Sequence, residues 1–224
     1  ATKVLYSKDD LPEIYVLPKC IEKPEKVRHA SELWASKTII FVNPKLQKGL
    51  EALLIVAEEL YKVSPDLTVR IVDSTDRIKS ELKLISKTID QLPKNISITG
   101  SYPNTDKLLK NVSIVLLLSL WHESGSRLIH ESYLRGIPVI AFNTGGTSEL
   151  IESKGLDIFE EPETIQIKGY LKIQAWDSKP VVKRILDLMS NRQSYEEHSA
   201  FLLLKSQNLL TNNEQAAKKI LDMM

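Results

Sequence analysis

The sequence predicts a doubly wound α/β domain on a parallel sheet, and three observations carry that expectation. Short β-branched runs alternate with longer segments of helical period. The apolar runs are continuous rather than alternating, as strands buried on both faces require. The spacing between successive runs leaves room for one helix in each crossover.

The elements follow in order. KTIIFVN, covering 38–43 after its entry lysine, reads as the first strand. The helix KGLEALLIVAEELYKV comes next, with Leu50, Leu53, Leu54, Ala57 and Leu60 at helical spacing. TVRIVDS (68–74) is a second strand, and Asp76 is placed to cap the helix DRIKSELKLISKTI behind it. ISIT (96–99), a short helix near Asp106–Lys110 and the strand SIVLLLS (113–119) continue the pattern. A helix from about Ser126 to Leu134, the strand IPVIAF (137–142) and a turn and helix at GGTSELIE complete it. These elements define a core over residues 37–177. Residues 1–36, with prolines at 12, 18 and 24 among mixed charges, read as an extended approach segment. Residues 178–224 read as helices, one marked by Val182, Ile185 and Met189, a second near Phe201–Leu204, and a short last one capped by Asn213.

Composition excludes several function classes. A formal net charge of +1 with well-mixed signs offers no concentrated basic face, so nucleic acid is not an expected partner. Cys20 is the only cysteine, which rules out an internal disulfide and points to no oxidising compartment. The apolar run Ile114–Leu118 is far shorter than the roughly 20 residues of a membrane span. No signal peptide opens the sequence, and cytoplasmic is the expected location. The chain begins with Ala1 rather than Met, as expected of a processed chain or a piece of a longer one.

A doubly wound sheet binds ligands at the carboxyl ends of its strands. The first strand-to-helix loop, NPKLQKG (43–49), has neither GxGxxG nor GxxxxGK[ST], so a nicotinamide enzyme and a P-loop NTPase are both disfavoured. It does place Lys48 and Gly49 at a helix start, where an ammonium and backbone amides converge on an anion. Taken alone, such a pair is more often a solvated lysine before a helix-start glycine.

The fourth loop reads WHESGSRLIHE. Gly125 lets a ligand approach the backbone, and the amides of Ser126 and Arg127 open the next helix. Eight positions at about 100° each leave Glu123 and Glu131 roughly 80° apart, so they do not share a metal ion as an i,i+4 pair would. They can grip two parts of one elongated ligand, such as the two hydroxyl sets of a sugar nucleotide. A surface carboxylate plus a capping one is the plainer explanation of the spacing alone. His122 and His130 lack the HExxH spacing, and no DxD, GxSxG or activated cysteine is present, so neither metal nor nucleophile chemistry is expected.

The segment LWHESGSRLIHESYLRGIPVIAFNTGGTSELI resembles the donor-site segment of the GT-B glycosyltransferases, in particular the retaining GT4 group. The family pattern E-x7-E, G-x-P-V-I-A and G-G-x-x-E is met by Glu123 and Glu131, Gly136–Ala141, and Gly145, Gly146 and Glu149. FVNPKLQKGLEALL is similar to the family's first strand and Lys-Gly helix start, ITGSYPNTDKLL to its base-side loop, and IYVLPKCIE to its link between domains. The resemblance implies a Rossmann-like donor-binding C-terminal half, with the acceptor domain outside this chain. It implies a metal-independent retaining transfer from an NDP-sugar of UDP, GDP or dTDP type, with no other cofactor, and an isolated chain that binds nucleotide without transferring sugar.

By position, the resemblance implies that Lys48 binds the diphosphate and that Glu123 touches the transferred sugar beside the amides of Gly125 and Ser126. It implies that Glu131 holds the ribose and that Gly100, Ser101 and Tyr102 lie beside the base. Two positions depart from the family. Asn43 stands where an arginine is usual, so Arg127, or failing it Lys45, is expected to supply that charge; Ser124-Gly125-Ser126 replaces G-F-G. Three rival readings share this outline: a subunit of a split transferase, a non-catalytic binding or scaffold domain, and a sugar-nucleotide epimerase, which would lack the E-x7-E pair. A peripheral membrane location would come through the absent domain.

Overall fold

The computed structural model describes residues 21, 23–151, 157–167 and 169–221. Six strands, β1 (Thr38–Val42), β2 (Thr68–Val72), β3 (Ile96–Thr99), β4 (Ile114–Leu117), β5 (Val139–Phe142) and β6 (Ile158–Phe159), form one parallel sheet in the order β3-β2-β1-β4-β5-β6. Every crossover out of the first four strands contains a helix: α2 (Leu50–Val63), α3 (Ile78–Leu84), α4 (Thr105–Leu108) and α5 (Arg127–Tyr133). The short α6 (Thr147–Leu150) follows β5. This is the Rossmann-like architecture the alternating pattern predicts, and strand order reverses between β1 and β4.

Burial follows strand position. β5 is buried throughout, β4 nearly so, and the central three residues of β1 are fully covered. The outer strands correct the expectation of continuous burial. Ile98 in β3 is 39% exposed, since β3 is the sheet edge with a neighbour on one side only, and Thr68, the first residue of β2, is exposed as well. The helix α2 presents Leu50, Leu53, Leu54, Ala57 and Leu60 to this core, as its period predicts.

Five local expectations are corrected. Asp76 does not cap α3: it has φ +50° and precedes the N-cap residue Arg77. The carboxylate that does the capping is Asp73 at the end of β2, which accepts from the Ile78 amide at 2.8 Å. That helix also stops at Leu84, well short of its apolar pattern, since Ser86 turns left-handed at φ +57°. The approach segment contains a helix, α1 (Ala30–Ala35), whose Leu33 is buried. IYVLPKCIE, with Cys20, lies almost wholly outside the described residues.

The fourth correction is an antiparallel hairpin, β7 (Glu163–Ile167) and β8 (Tyr170–Ala175), where no strand is expected. It rests on the core through the Tyr170 hydroxyl, which donates to the Leu84 carbonyl at 2.9 Å, and the Ile173 amide, which donates to the Glu51 carboxylate at 2.9 Å. The last concerns the C-terminal helices. After α7 (Lys179–Ser190), a single helix, α8 (Arg192–Leu221), runs straight through position 213, so no helix begins there. It packs on α1, α5 and α7, and the buried Tyr195 hydroxyl donates to the Ser113 carbonyl at 2.7 Å. Among the described residues no helix is long and apolar enough to cross a membrane.

One buried charge cluster ties these helices to the sheet. Asp157, just before β6, is 1% exposed and meets Arg184 of α7 at 2.6 Å and His198 of α8 at 3.0 Å. Burial pushes its carboxyl up, but His198 and Arg184 outweigh that and hold it below the usual 3.8. A depressed carboxyl stabilises the fold above its ordinary pKa and loses that contribution as pH falls through the native value. Asp157→Asn leaves the mostly covered Arg184 without a counter-charge. It is expected to cost about 3 kcal/mol at neutral pH and to weaken the drop in urea midpoint between neutral and acid conditions.

Candidate functional site

The switch between β1 and β4 opens a crevice whose walls are the loops after those two strands. Both predicted charges meet there: Lys48 Nζ forms an ion pair with Glu123 Oε1, with both side chains less than a third exposed. The ammonium has three donors and this contact uses one, leaving the others for a second anion. Glu123 likewise engages one of its two oxygens.

Backbone geometry brings the two loops together. Residues Leu46–Lys48 form a single 3-10 turn, and Gly49 follows in the left-handed region at φ +88° as the N-cap of α2. A Cβ at Gly49 would lie 1.8 Å from the Leu118 carbonyl oxygen, so only glycine allows this approach. The Gln47 carbonyl accepts from the Leu120 amide at 2.9 Å, a direct bond between the two loops. Lys48 is thereby fixed beside the first turn of a 14-residue helix, whose free amides carry partial positive charge.

A third loop closes over Glu123 from β5. The Gly146 amide donates to the Glu123 carbonyl at 2.7 Å, and Gly145 at φ +56° sits where a Cβ would come within 2.3 Å of that oxygen. Gly125 is buried with φ +106°, and Ser126 is the N-cap of α5 without using its side chain. In α5 the exposed Arg127 donates its Nε to Glu131 Oε1 at 3.1 Å. Glu131 is 7% exposed, its Oε2 takes no hydrogen bond from the described residues, and Arg135 holds its backbone carbonyl at 2.7 Å.

The remaining predicted residues stand around this pair. Asn43 ends β1 at φ +66°, and its carbonyl accepts from the Lys45 amide at 2.8 Å. Gly100, Ser101 and Tyr102 follow β3 at the sheet edge, so they do not join the Lys48–Glu123 pair. They lie two to three strand spacings away, roughly 10–14 Å. Tyr102 is half-buried, with Arg70 6.0 Å from its ring. Gln47 and Leu120 are the contributors that sequence reading misses. Both act through backbone atoms, which leave no residue-type signal, whereas the Gly145-Gly146 doublet is already visible in the sequence. Among the described residues no three His, Cys, Asp or Glu side chains gather as metal ligands.

The sequence model of one family, Glycosyl transferases group 1, matches residues 26–201, well over half of the chain. No curated protein matches the sequence significantly. Solved structures do resemble the fold. TarM aligns with 92% of this chain and 37% of its own at 17% identity and a TM-score of 0.63. Anabaena Alr3699/HepE in complex with UDP-glucose aligns over 83% of this chain and 48% of its own, at 21% identity and a TM-score of 0.60. The C-terminal domain of the Francisella tularensis group 1 glycosyl transferase LpcC aligns over 81% of this chain and 93% of that domain, at 20% identity and a TM-score of 0.57. At such identities the likeness is one of fold, and the chain spans 37% of the length of TarM and 48% of that of HepE.

Two substitutions separate architecture from chemistry at this crevice. Gly49→Ala forces a carbonyl clash and a left-handed alanine, and is expected to lower unfolding stability by roughly 3 kcal/mol. Lys48→Ala removes a partly solvated ion pair and should change it by less than about 1 kcal/mol. Urea denaturation of both variants checks the contrast; equal losses would show that the pair, not the glycine, holds the loops.

Proposed function

This chain belongs to the group 1 glycosyl transferases, a GT-B-type family, and from that premise we propose that it is the nucleotide-sugar-binding half of a retaining, GT4-type hexosyltransferase. The observation that carries the reading is the Lys48–Glu123 pair at the switch point, beside the start of α2. In this reading the donor lies across the carboxyl ends of the strands. Lys48 and the first amides of α2 take the diphosphate, Glu123 takes the transferred sugar with Gly125 and Ser126, and Glu131 takes the ribose. Gly100, Ser101 and Tyr102 flank the base. Arg127 adds charge where Asn43 brings none.

The chemistry follows from where charge develops. Breaking the bond between sugar and phosphate leaves negative charge on the diphosphate. A fixed ammonium and a helix N-terminus stabilise it without a metal ion. The buried Glu131 suits a ribose diol, since its two carboxylate oxygens can accept from two adjacent hydroxyls. Its ring of support, Arg127 on one oxygen and Arg135 on the backbone, orients that carboxylate in advance.

The acceptor and the rest of the catalytic machinery belong to a second domain of the parent protein, over the boundary segment 1–36. The core at 37–177 and helices at 178–224 form the donor half, which transfers no sugar alone. The partial coverage of the longer relatives supports that division. A cytoplasmic location, peripheral to the membrane through the acceptor domain, fits the same reading. UDP is the first nucleotide to try, because Alr3699/HepE and TarM have both been crystallised with it.

Titration calorimetry with UDP, GDP, dTDP and ADP, each beside its nucleoside, tests the proposal. One diphosphate should bind selectively. Lys48→Ala should weaken the diphosphate about ten- to a hundredfold and its nucleoside hardly at all. Glu131→Ala should weaken both. Equal losses for diphosphate and nucleoside in Lys48→Ala would overturn the diphosphate role, and an unchanged Glu131→Ala would overturn the ribose role.

A further inference from the structure

A second cluster of cations lies on the amino side of the sheet. Between the segment before α1, the end of α4 and the connection from α5 to β5 is a cavity of about 150 Å³. A space of that size holds a small ring or its equivalent. Its apolar floor is Leu33, Leu109 and Ile137, all fully buried. Ile137 precedes β5 and Leu109 precedes β4, so the cavity opens on the amino side of the strands, away from the Lys48–Glu123 crevice.

Its charge is unbalanced. Lys26, Arg28, Lys107 and Lys110 line it, against the two acids Glu25 and Asp106. Asp106 is already committed: Oδ1 accepts from Arg135 Nε at 2.9 Å, and Oδ2 accepts from the Glu25 amide at 3.1 Å. Burial pushes its carboxyl up, but those two donors and nearby Lys107 hold it below the usual 3.8, so it is ionised and paired. Arg28 reaches a neutral partner, the Asn111 side-chain carbonyl, at 2.7 Å. Lys26, Lys107 and Lys110 pair with no carboxylate among the described residues. Among the described residues, four cations therefore face Glu25, in a chain whose formal net charge is only +1.

We propose that this cavity binds a small phosphorylated ligand, of the charge and size of a diphosphate. Concavity separates this from a membrane-surface patch: the cations surround a volume rather than a plane, and Arg28 is half-buried beside the apolar floor. Multiple acceptor oxygens on a compact anion are what several convergent ammonium and guanidinium donors require. The proposal does not depend on the donor-site reading: the residue common to both, Arg135, holds Asp106 here and the Glu131 backbone carbonyl there, and is asked to touch neither ligand.

The test is a titration of the full chain with inorganic pyrophosphate, followed through backbone amide chemical shifts, with sodium chloride at matched ionic strength as the control. Amides at Lys26–Arg28 and Lys107–Asn111 should shift saturably. The double variant Lys107→Ala/Lys110→Ala, on exposed positions that leave the fold intact, should weaken that response by about tenfold. It should leave any response of the 43–49 and 118–126 loops unchanged; Lys48→Ala should do the reverse. If the donor reading fails, only the loop response disappears. Absence of saturable shifts at the cavity, equal shifts with chloride, or insensitivity to the double variant would overturn the proposal. So would binding to phosphatidylglycerol vesicles that depends on Lys107 and Lys110 without any response to pyrophosphate.

Discussion

Two loops from non-consecutive strands can share a crevice only if their backbones are allowed to touch, and at Gly49 they do. The Leu118 carbonyl occupies the space any side chain would need, and the Leu120 amide closes the contact on Gln47. Everything at the carboxyl edge inherits its position from this approach. Lys48 is the residue immediately before the contact on one loop, and Glu123 follows shortly after it on the other. A strand order that reversed elsewhere would send both crossovers to the same face and leave no crevice between these loops. Sheet topology and a single missing methyl group therefore act together, one choosing the neighbours and the other setting their distance.

Around that contact, charges are arranged by depth. The deepest, Asp157 and Arg135, are satisfied by several fixed partners and serve the architecture. At intermediate depth, Lys48 and Glu123 satisfy each other while keeping unused donors and acceptors. Burial raises the strength of an electrostatic contact and also the cost of leaving it unmade. Partly buried pairs with spare valence are thus the ones able to exchange partners with a ligand.

The sheet and its helices were legible because their signals are side-chain patterns. Ile39–Phe41, Ile114–Leu116 and Val139–Phe142 announce buried strands by composition, and α2 announces itself by period. What escaped was decided by backbone or by tertiary contact. Ser86 turns left-handed without being glycine, so α3 ends where no residue type marks a stop. The ribbon ETIQI–YLKIQA carries mixed polarity because only one face of it meets the domain, and that blurred its alternation. At the crevice, Lys48, Glu123, Gly125 and Glu131 were readable as residue types at a spacing. Their actual pairing, Lys48 with Glu123 and Arg127 with Glu131, was not, since it depends on which loops the glycines bring into contact.

The hairpin of β7 and β8 also bears on the crevice. A two-stranded ribbon is barely stable by itself, so this one opens as a small cooperative unit well before the sheet does. Its anchor points include Glu51, in the first turn of α2, and Gln47, whose side-chain amide reaches the Gly169 carbonyl at the hairpin turn. Gln47 is the same residue whose carbonyl joins the two loops. One residue thus serves both structures, its side chain on the ribbon and its backbone on the loop contact beside Lys48, so the ribbon's edge is registered to the crevice through Gln47.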